Sequence, residues 1–212
     1  FERIYGESPY KSPTDMGVNM AGLSIIDDEG AVKLEEEIIR RYFKTACLVR
    51  QGLASEAELQ KIENLMRQLK LEPENRPVVL AALKRAEATG QPAAALELPD
   101  GTIVTGRTSE LLGASSALTL NALKMLAGIP HEVKLISPTV IAPIQTLKPT
   151  HAEPKPALAP DEMLVALAIS AATDENAMRA MQKLDELSGC DLHSSVILGS
   201  VDDSVFKRLA ST

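Results

Sequence analysis

The tripeptide Pro99-Asp100-Gly101 stands between two short, largely apolar runs, Ala93–Leu98 and Thr102–Gly106. Proline presets the backbone for a turn, aspartate can bond the amides that follow it, and glycine accepts positive φ, so this arrangement is a strong hairpin signal. It constrains the whole chain because of what precedes it. Upstream of Gly90 apolar residues recur every three or four positions, which is the period of a helix. A chain that changes period in this way has to set helices against a small sheet. The expected fold class is α/β in the broad, mixed α+β sense. A small helical subdomain is expected over residues 31–91, followed over residues 92–212 by a layered α/β subdomain with a short mixed sheet. Residues 1–30 read as a loop-rich opening segment, punctuated by Gly6, Pro9, Pro13 and Gly17.

The first helix is predicted over Ala31–Gln51, where Ile38, Ile39, Tyr42, Phe43, Ala46 and Val49 share a face. Glu36 with Arg40, and Glu37 with Arg41, form i,i+4 pairs on its wet side. Ser55 and Glu58 make the S-x-x-E capping box of a second helix, striped by Leu59, Ile62, Met66 and Leu69. A third helix is predicted over Asn75–Ala88, with Gly90 as its stop.

Beyond the hairpin, Thr108 or Ser109 is expected to cap a long helix running through Leu126 and closed by Gly128. Val133–Ile136 reads as a short buried strand. Six of the thirteen prolines fall between Pro138 and Pro160, which predicts an extended crossover or surface loop. Asp161 opens another helix, with a break near Thr173-Asp174 and a continuation to Leu187. Val196–Leu198 reads as a strand, and Asp202–Ala210 as a closing helix.

Composition narrows the function classes. Lys and Arg number 22 against 29 Asp and Glu, a net charge of −7, which disfavours nucleic acid and anionic membranes as partners. Aromatic residues are three Tyr and three Phe with no Trp, and five of the six precede residue 44. No surface of rings interleaved with basic residues can be built from them. The longest apolar stretch, Met163–Ala172, is about half the length needed to cross a bilayer as a helix. Cys47 and Cys190 form no disulfide framework, and no basic-then-apolar leader opens the chain, so the expected location is cytoplasmic. The first residue is Phe1 rather than Met, so the chain is expected to be processed or a piece of something longer.

Three places can carry chemistry. Ser8, Tyr10, Lys11, Ser12, Thr14, Asp15 and Asn19 crowd the opening loop between stiff turn residues, a pattern suited to contacts with a polar ligand. Lys11 would hold a phosphate or carboxylate there; the alternative is a connector whose polar groups cap its neighbours. Arg107, Thr108 and Ser109 lie at the mouth of the predicted long helix, where free amides and the helix dipole favour an anion. The alternative is an ordinary helix cap. Cys190 and His193 have C-x-x-H spacing, but a closed metal site needs about four ligands, so the expectation is no metal and no cofactor. The Walker pattern G-x-x-x-x-G-K-[ST] and the G-x-S-x-G elbow are both missing. Glu35-Glu36-Glu37 and Asp202-Asp203 read as solvated helix faces.

Five stretches together resemble a known family: Phe1–Asn19, Glu37–Tyr42, Glu97–Gly101, Leu111–Ala117 and His193–Leu198. They resemble the bacterial domain-of-unknown-function-1846 (DUF1846) family over almost the whole chain. The resemblance implies a longer protein of which this is the C-terminal portion, residues 1–30 being a remnant of the upstream domain. It also implies an upstream Gly-rich segment similar to a phosphate-binding loop, outside this sequence. The family carries no established activity. The order of hairpin, helix, strand, helix and strand is also similar to deaminase-like sheets, but the chain has no P-C-x-x-C to complete the zinc deaminase signature. The expected partners are the upstream domain of the same protein, a phosphorylated or otherwise anionic small molecule, and a second copy of the chain. Catalysis is left open, and the alternative is a non-catalytic interaction or oligomerisation module.

Overall fold

The computed structural model describes residues 28–148 and 157–209, with side chains from Val32 onward. They fall into two compact units, one ending at Asn75 and one beginning at Arg76.

The first unit holds helix α1 (Asp28–Arg50), helix α2 (Glu56–Leu69) and a short 3-10 turn, Pro73–Asn75. The capping box forms as the sequence requires: the Glu58 amide donates to Ser55 Oγ (3.3 Å), and the Ser55 amide donates to Glu58 Oε2 (2.9 Å). The Ser55 amide and hydroxyl, both donating to the Glu58 carboxylate, hold this exposed carboxyl below its ordinary pKa, the backbone bond contributing most. Lys70 ends α2 in the left-handed conformation, with φ of 56°. Among the described residues the unit's buried core is Ile38, Ile39, Met66 and Leu71, with Leu34, Tyr42, Phe43, Ile62, Leu65 and Leu69 packed around them. Tyr42 and Phe43 meet edge to face at 5.3 Å.

The second unit is a sheet between helices. Helix α3 (Pro77–Thr89) has Pro77 in its first turn and Gly90 closing it in the left-handed region. It is the third helix of the predicted helical subdomain, yet its stripe of Val78 and Ala82 packs on Ala95 of β1. Periodicity shows that a helix has an apolar face and does not show what covers it. Strands β1 (Ala93–Glu97) and β2 (Ile103–Arg107) form the hairpin, paired from Ala93 with Arg107 to Glu97 with Ile103. Its turn places Gly101 at φ 81°, and Asp100 Oδ1 accepts from the Thr102 amide at 2.9 Å. Strand β3 (Asp191–Ser194) pairs with the other side of β1, giving the order β2-β1-β3. All named strands are antiparallel, where a mixed sheet was expected; one parallel bridge, Leu112 with Leu158, lies outside them.

Ala94 and Leu96 turn to the opposite face from Ala95 and enter the main core. That face is covered by helix α4 (Ala114–Leu126), and beyond it lie α5 (Pro138–Leu147), α6 (Pro160–Ala171) and α7 (Glu175–Met181). A 3-10 turn, Leu184–Leu187, leads into β3, and helix α8 (Ser200–Arg208) ends the described chain. Leu96, Leu118, Leu123, Leu158, Met163 and Leu167 are among the fully buried side chains. Helix α4 crosses β2 at Gly106, where a Cβ would run into the backbone of Leu118 and lie 2.7 Å from the Ala114 carbonyl oxygen. Only glycine allows an approach that close.

Four expectations are corrected. Helix α4 begins at Ala114, not after Thr108, because the Thr108 amide extends the hairpin ladder to the Pro92 carbonyl (2.8 Å). Leu135 and Ile136 are buried in a turn-rich connection that forms no strand, since burial alone does not fix the backbone. The proline-rich segment contains α5: Ser137 caps it, Pro138 occupies the first turn where no amide is needed, and only Pro143 lies inside. The last strand is Asp191–Ser194, and Val196 and Ile197 beyond it are exposed. The predicted break at Thr173-Asp174 is present, Asp174 Oδ1 accepting from the Ala177 amide at 2.9 Å to cap α7. At the foot of α6, Lys148 Nζ bonds both Glu162 Oε2 (2.6 Å) and the Ala157 carbonyl (2.7 Å).

Candidate functional site

Ser8, Tyr10, Lys11, Ser12, Thr14, Asp15 and Asn19 lie outside the described residues. Arg107, Thr108 and Ser109 are described, and they do not converge on a helix N-terminus. Arg107 is exposed and its Nη1 donates to the Thr108 carbonyl at 3.3 Å. Ser109 is spent on a tight loop, its amide donating to the Leu112 carbonyl (2.9 Å) and its Oγ accepting from the Leu112 amide (3.1 Å). The true N-cap of α4 is Gly113, whose amide is already given to the Leu158 carbonyl at 3.0 Å.

Cys190 and His193 are both buried, and no group of three or more His, Cys, Asp or Glu able to hold a metal occurs among the described residues. Burial, with Glu97 nearby, raises the pKa of the Cys190 thiol, so it is no ready nucleophile. His193 belongs to a cluster with no local sequence signature. Arg76, only 2% exposed, donates from Nε to Asp191 Oδ2 at 2.6 Å, across a separation of 115 residues, and from Nη2 to Asp191 Oδ1 at 2.5 Å. The same Nη2 also reaches the Leu192 carbonyl at 2.7 Å. Burial and the Arg76 charge push the His193 imidazole down to about 4, against a smaller opposite pull from Asp191. The cluster pins the start of α3 to β3. Its buried position suits a fastening better than a reactive centre.

The first unit carries the more open feature. Tyr42 from α1 and Glu63, Met66 and Arg67 from α2 border a groove of about 430 Å3, completed by Lys70, Leu71, Glu72 and Pro73. That volume is comparable with small-molecule sites, but the groove is shallow and open to solvent rather than enclosed. Met66 and Leu71 are its buried apolar residues. Arg67 reaches Glu63 only at 3.7 Å, which leaves its guanidinium fork largely unused. Among the described residues, neither the Tyr42 hydroxyl nor the Lys70 ammonium is engaged by another side chain or carbonyl. The α2 stripe was legible through Met66 and Leu69, but the left-handed turn at Lys70 that folds Leu71 back was not.

The family model described as "Domain of unknown function DUF1846, C-terminal" matches residues 74–211, and its N-terminal counterpart matches residues 1–70. The boundary between the two agrees with the division of the structure at Asn75. A UPF0371 protein of Corynebacterium aurimucosum is 52% identical over 210 residues, covering 98% of this chain and 42% of the relative. UPF0371 proteins of Streptococcus thermophilus and Corynebacterium urealyticum are 50% and 48% identical over the same shares. The chain therefore spans about two fifths of the length of these curated relatives, whose names state no activity. Matched along nearly its whole length by both models, the chain belongs to the DUF1846 family.

Proposed function

We propose that this chain works as part of a longer protein and contributes to a site for a phosphorylated or other anionic small molecule. The observation that carries the reading is the groove on the first unit, where Arg67, Lys70 and the Tyr42 hydroxyl offer donors beside the apolar Met66 and Leu71. Glu63 and Glu72 border the same groove, so its balance suits one anionic group attached to an apolar body better than a free polyanion. Lys11 and the hydroxyls of Ser8, Ser12 and Thr14 in the opening segment are further candidate contributors to such a site, whereas Arg107, Thr108 and Ser109 belong to the second unit and are not part of this groove. The test is calorimetric titration of the full-length protein with nucleotides, sugar phosphates and inorganic phosphate. A charge-assisted hydrogen bond is worth about 1.5–3 kcal/mol, so Arg67→Ala or Lys70→Ala should weaken binding roughly tenfold or more. No heat from any phosphorylated compound, or unchanged affinity in both variants, refutes the reading.

A second reading, a non-catalytic interaction or oligomerisation module, is favoured by helix α6. Its inner stripe of Met163, Ala166 and Leu167 is fully buried, while Val165 and Ile169 on the outside are 58% and 56% exposed. A helix apolar on every side is normally covered on every side. Light scattering on the full-length protein distinguishes the readings: a strict monomer argues against assembly through this face. No helix among the described residues is long and apolar enough to cross a membrane. A reducing, cytoplasmic setting is part of the same proposal, resting on the free thiols of Cys47 and Cys190.

A further inference from the structure

The pairing register settles which backbone groups of the sheet point outward. Leu98 donates to the Thr102 carbonyl (2.9 Å) and Thr108 to the Pro92 carbonyl (2.8 Å). Bonded pairs alternate in an antiparallel ladder, so Val104 and Gly106 bond β1, while Ile103, Thr105 and Arg107 turn their amides and carbonyls to the free edge of β2. On the other side Ser195 donates to the Ala93 carbonyl at 2.8 Å. By the same alternation His193 bonds β1, and Leu192 and Ser194 face the free edge of β3.

A side chain meets each edge at one of these outward carbonyls. Asn121 of α4 donates through Nδ2 to the Thr105 carbonyl at 2.9 Å. Arg76 donates through Nη2 to the Leu192 carbonyl at 2.7 Å. Helix α4, which carries Asn121, also lies directly on β2 at Gly106. An open strand edge is a template for pairing with another chain, and proteins blunt it by covering it or occupying its polar groups.

We propose that Asn121 and Arg76 are edge guards, each closing one side of the three-stranded sheet against the addition of a further strand. Arg76 also holds a buried ion pair, so Asn121 is the residue that tests the idea cleanly. Asn121→Ala in the full-length protein should raise the mean mass by twofold or more in concentration-dependent light scattering, at concentrations where the parent protein does not change. Ile103, 36% exposed on β2, supplies the control. Adding Ile103→Lys to Asn121→Ala places a charge on the freed edge and should return the mass to that of the parent. An unchanged mass in Asn121→Ala, or a raised mass that Ile103→Lys fails to lower, overturns the proposal. Hydrogen exchange on the unaltered protein tests it without any substitution. The outward amides of Ile103 and Thr105 should exchange at least tenfold faster than those of Val104 and Gly106, whereas equal protection would mean that the edge is already paired and the guard does not work.

Discussion

The two units bury their hydrophobic surface in different ways. In the first, the described residues are two helices around a core whose buried members are Ile38, Ile39, Met66 and Leu71. In the second, a sheet carries α3 on one face and α4 on the other, and one core runs from Ala94 through Leu118 and Leu158 to Leu187 and Cys190. Small cores leave little margin, because stability is the difference between large opposing terms. The comparison predicts that the helical pair opens at lower cost than the sheet unit, and the groove lies on that pair. Segments that open to bind are drawn from the less stable parts of a fold.

The largest effect expected is at the fastening of the sheet unit. Arg76→Ala leaves Asp191 without its counter-charge and should cost about 3–5 kcal/mol, seen as a lowered urea midpoint. The double change Arg76→Met with Asp191→Leu should cost less, and a double variant as weak as the single one would mean that the ion pair itself stabilises the fold. Next comes the contrast between the cores. Leu118→Ala and Ile39→Ala each remove a side chain with no exposure and should cost about 2–5 kcal/mol. Ile39→Ala should speed amide exchange in α1 and α2 while α4 keeps its protection; loosening of both units together would show that their cores are not independent.

The third test is acidity. The folded His193 titrates near 4 against an ordinary 6.5, so the unfolded chain takes up the proton first as pH falls. Stability supplied by the neutral imidazole is intact above pH 6.5 and is lost between 6.5 and 4, by up to about 3 kcal/mol. His193→Gln should flatten that part of the stability profile of the sheet unit; an identical slope in the variant would show that other groups cause it. The smallest effect is at the cap of α2, where Ser55→Ala should cost about 1 kcal/mol, measured by thermal melting. A loss confined to the helical pair sharpens the comparison, and a loss shared by the sheet unit weakens it.

What could be read from the residues was local. Ser55 with Glu58 and the Pro99-Asp100-Gly101 turn announce themselves because the groups that satisfy one another lie within a few positions. The break before Asp174 belongs to the same class. What escaped depends on distant partners. Nothing near Arg76 predicts a bond to Asp191, and nothing near Gly106 predicts that Leu118 would press on it. Helix α5 was hidden for a different reason, since proline marks a loop by composition but is at home in a first turn, as Pro138 shows. The groove combines both cases, with residues on a legible stripe and a turn at Lys70 that only the fold reveals.

The missing side chain at Gly106 has a mechanical consequence. With no spacer between them, the helix above and the ribbon below are seated backbone on backbone, and neither can slide without dragging the other. The far end of that helix's entrance is tied to the Leu158 carbonyl by Gly113 and by the Ser116 hydroxyl. Leu158, the start of the helix and the base of the hairpin are thus joined by an unbroken run of backbone contacts.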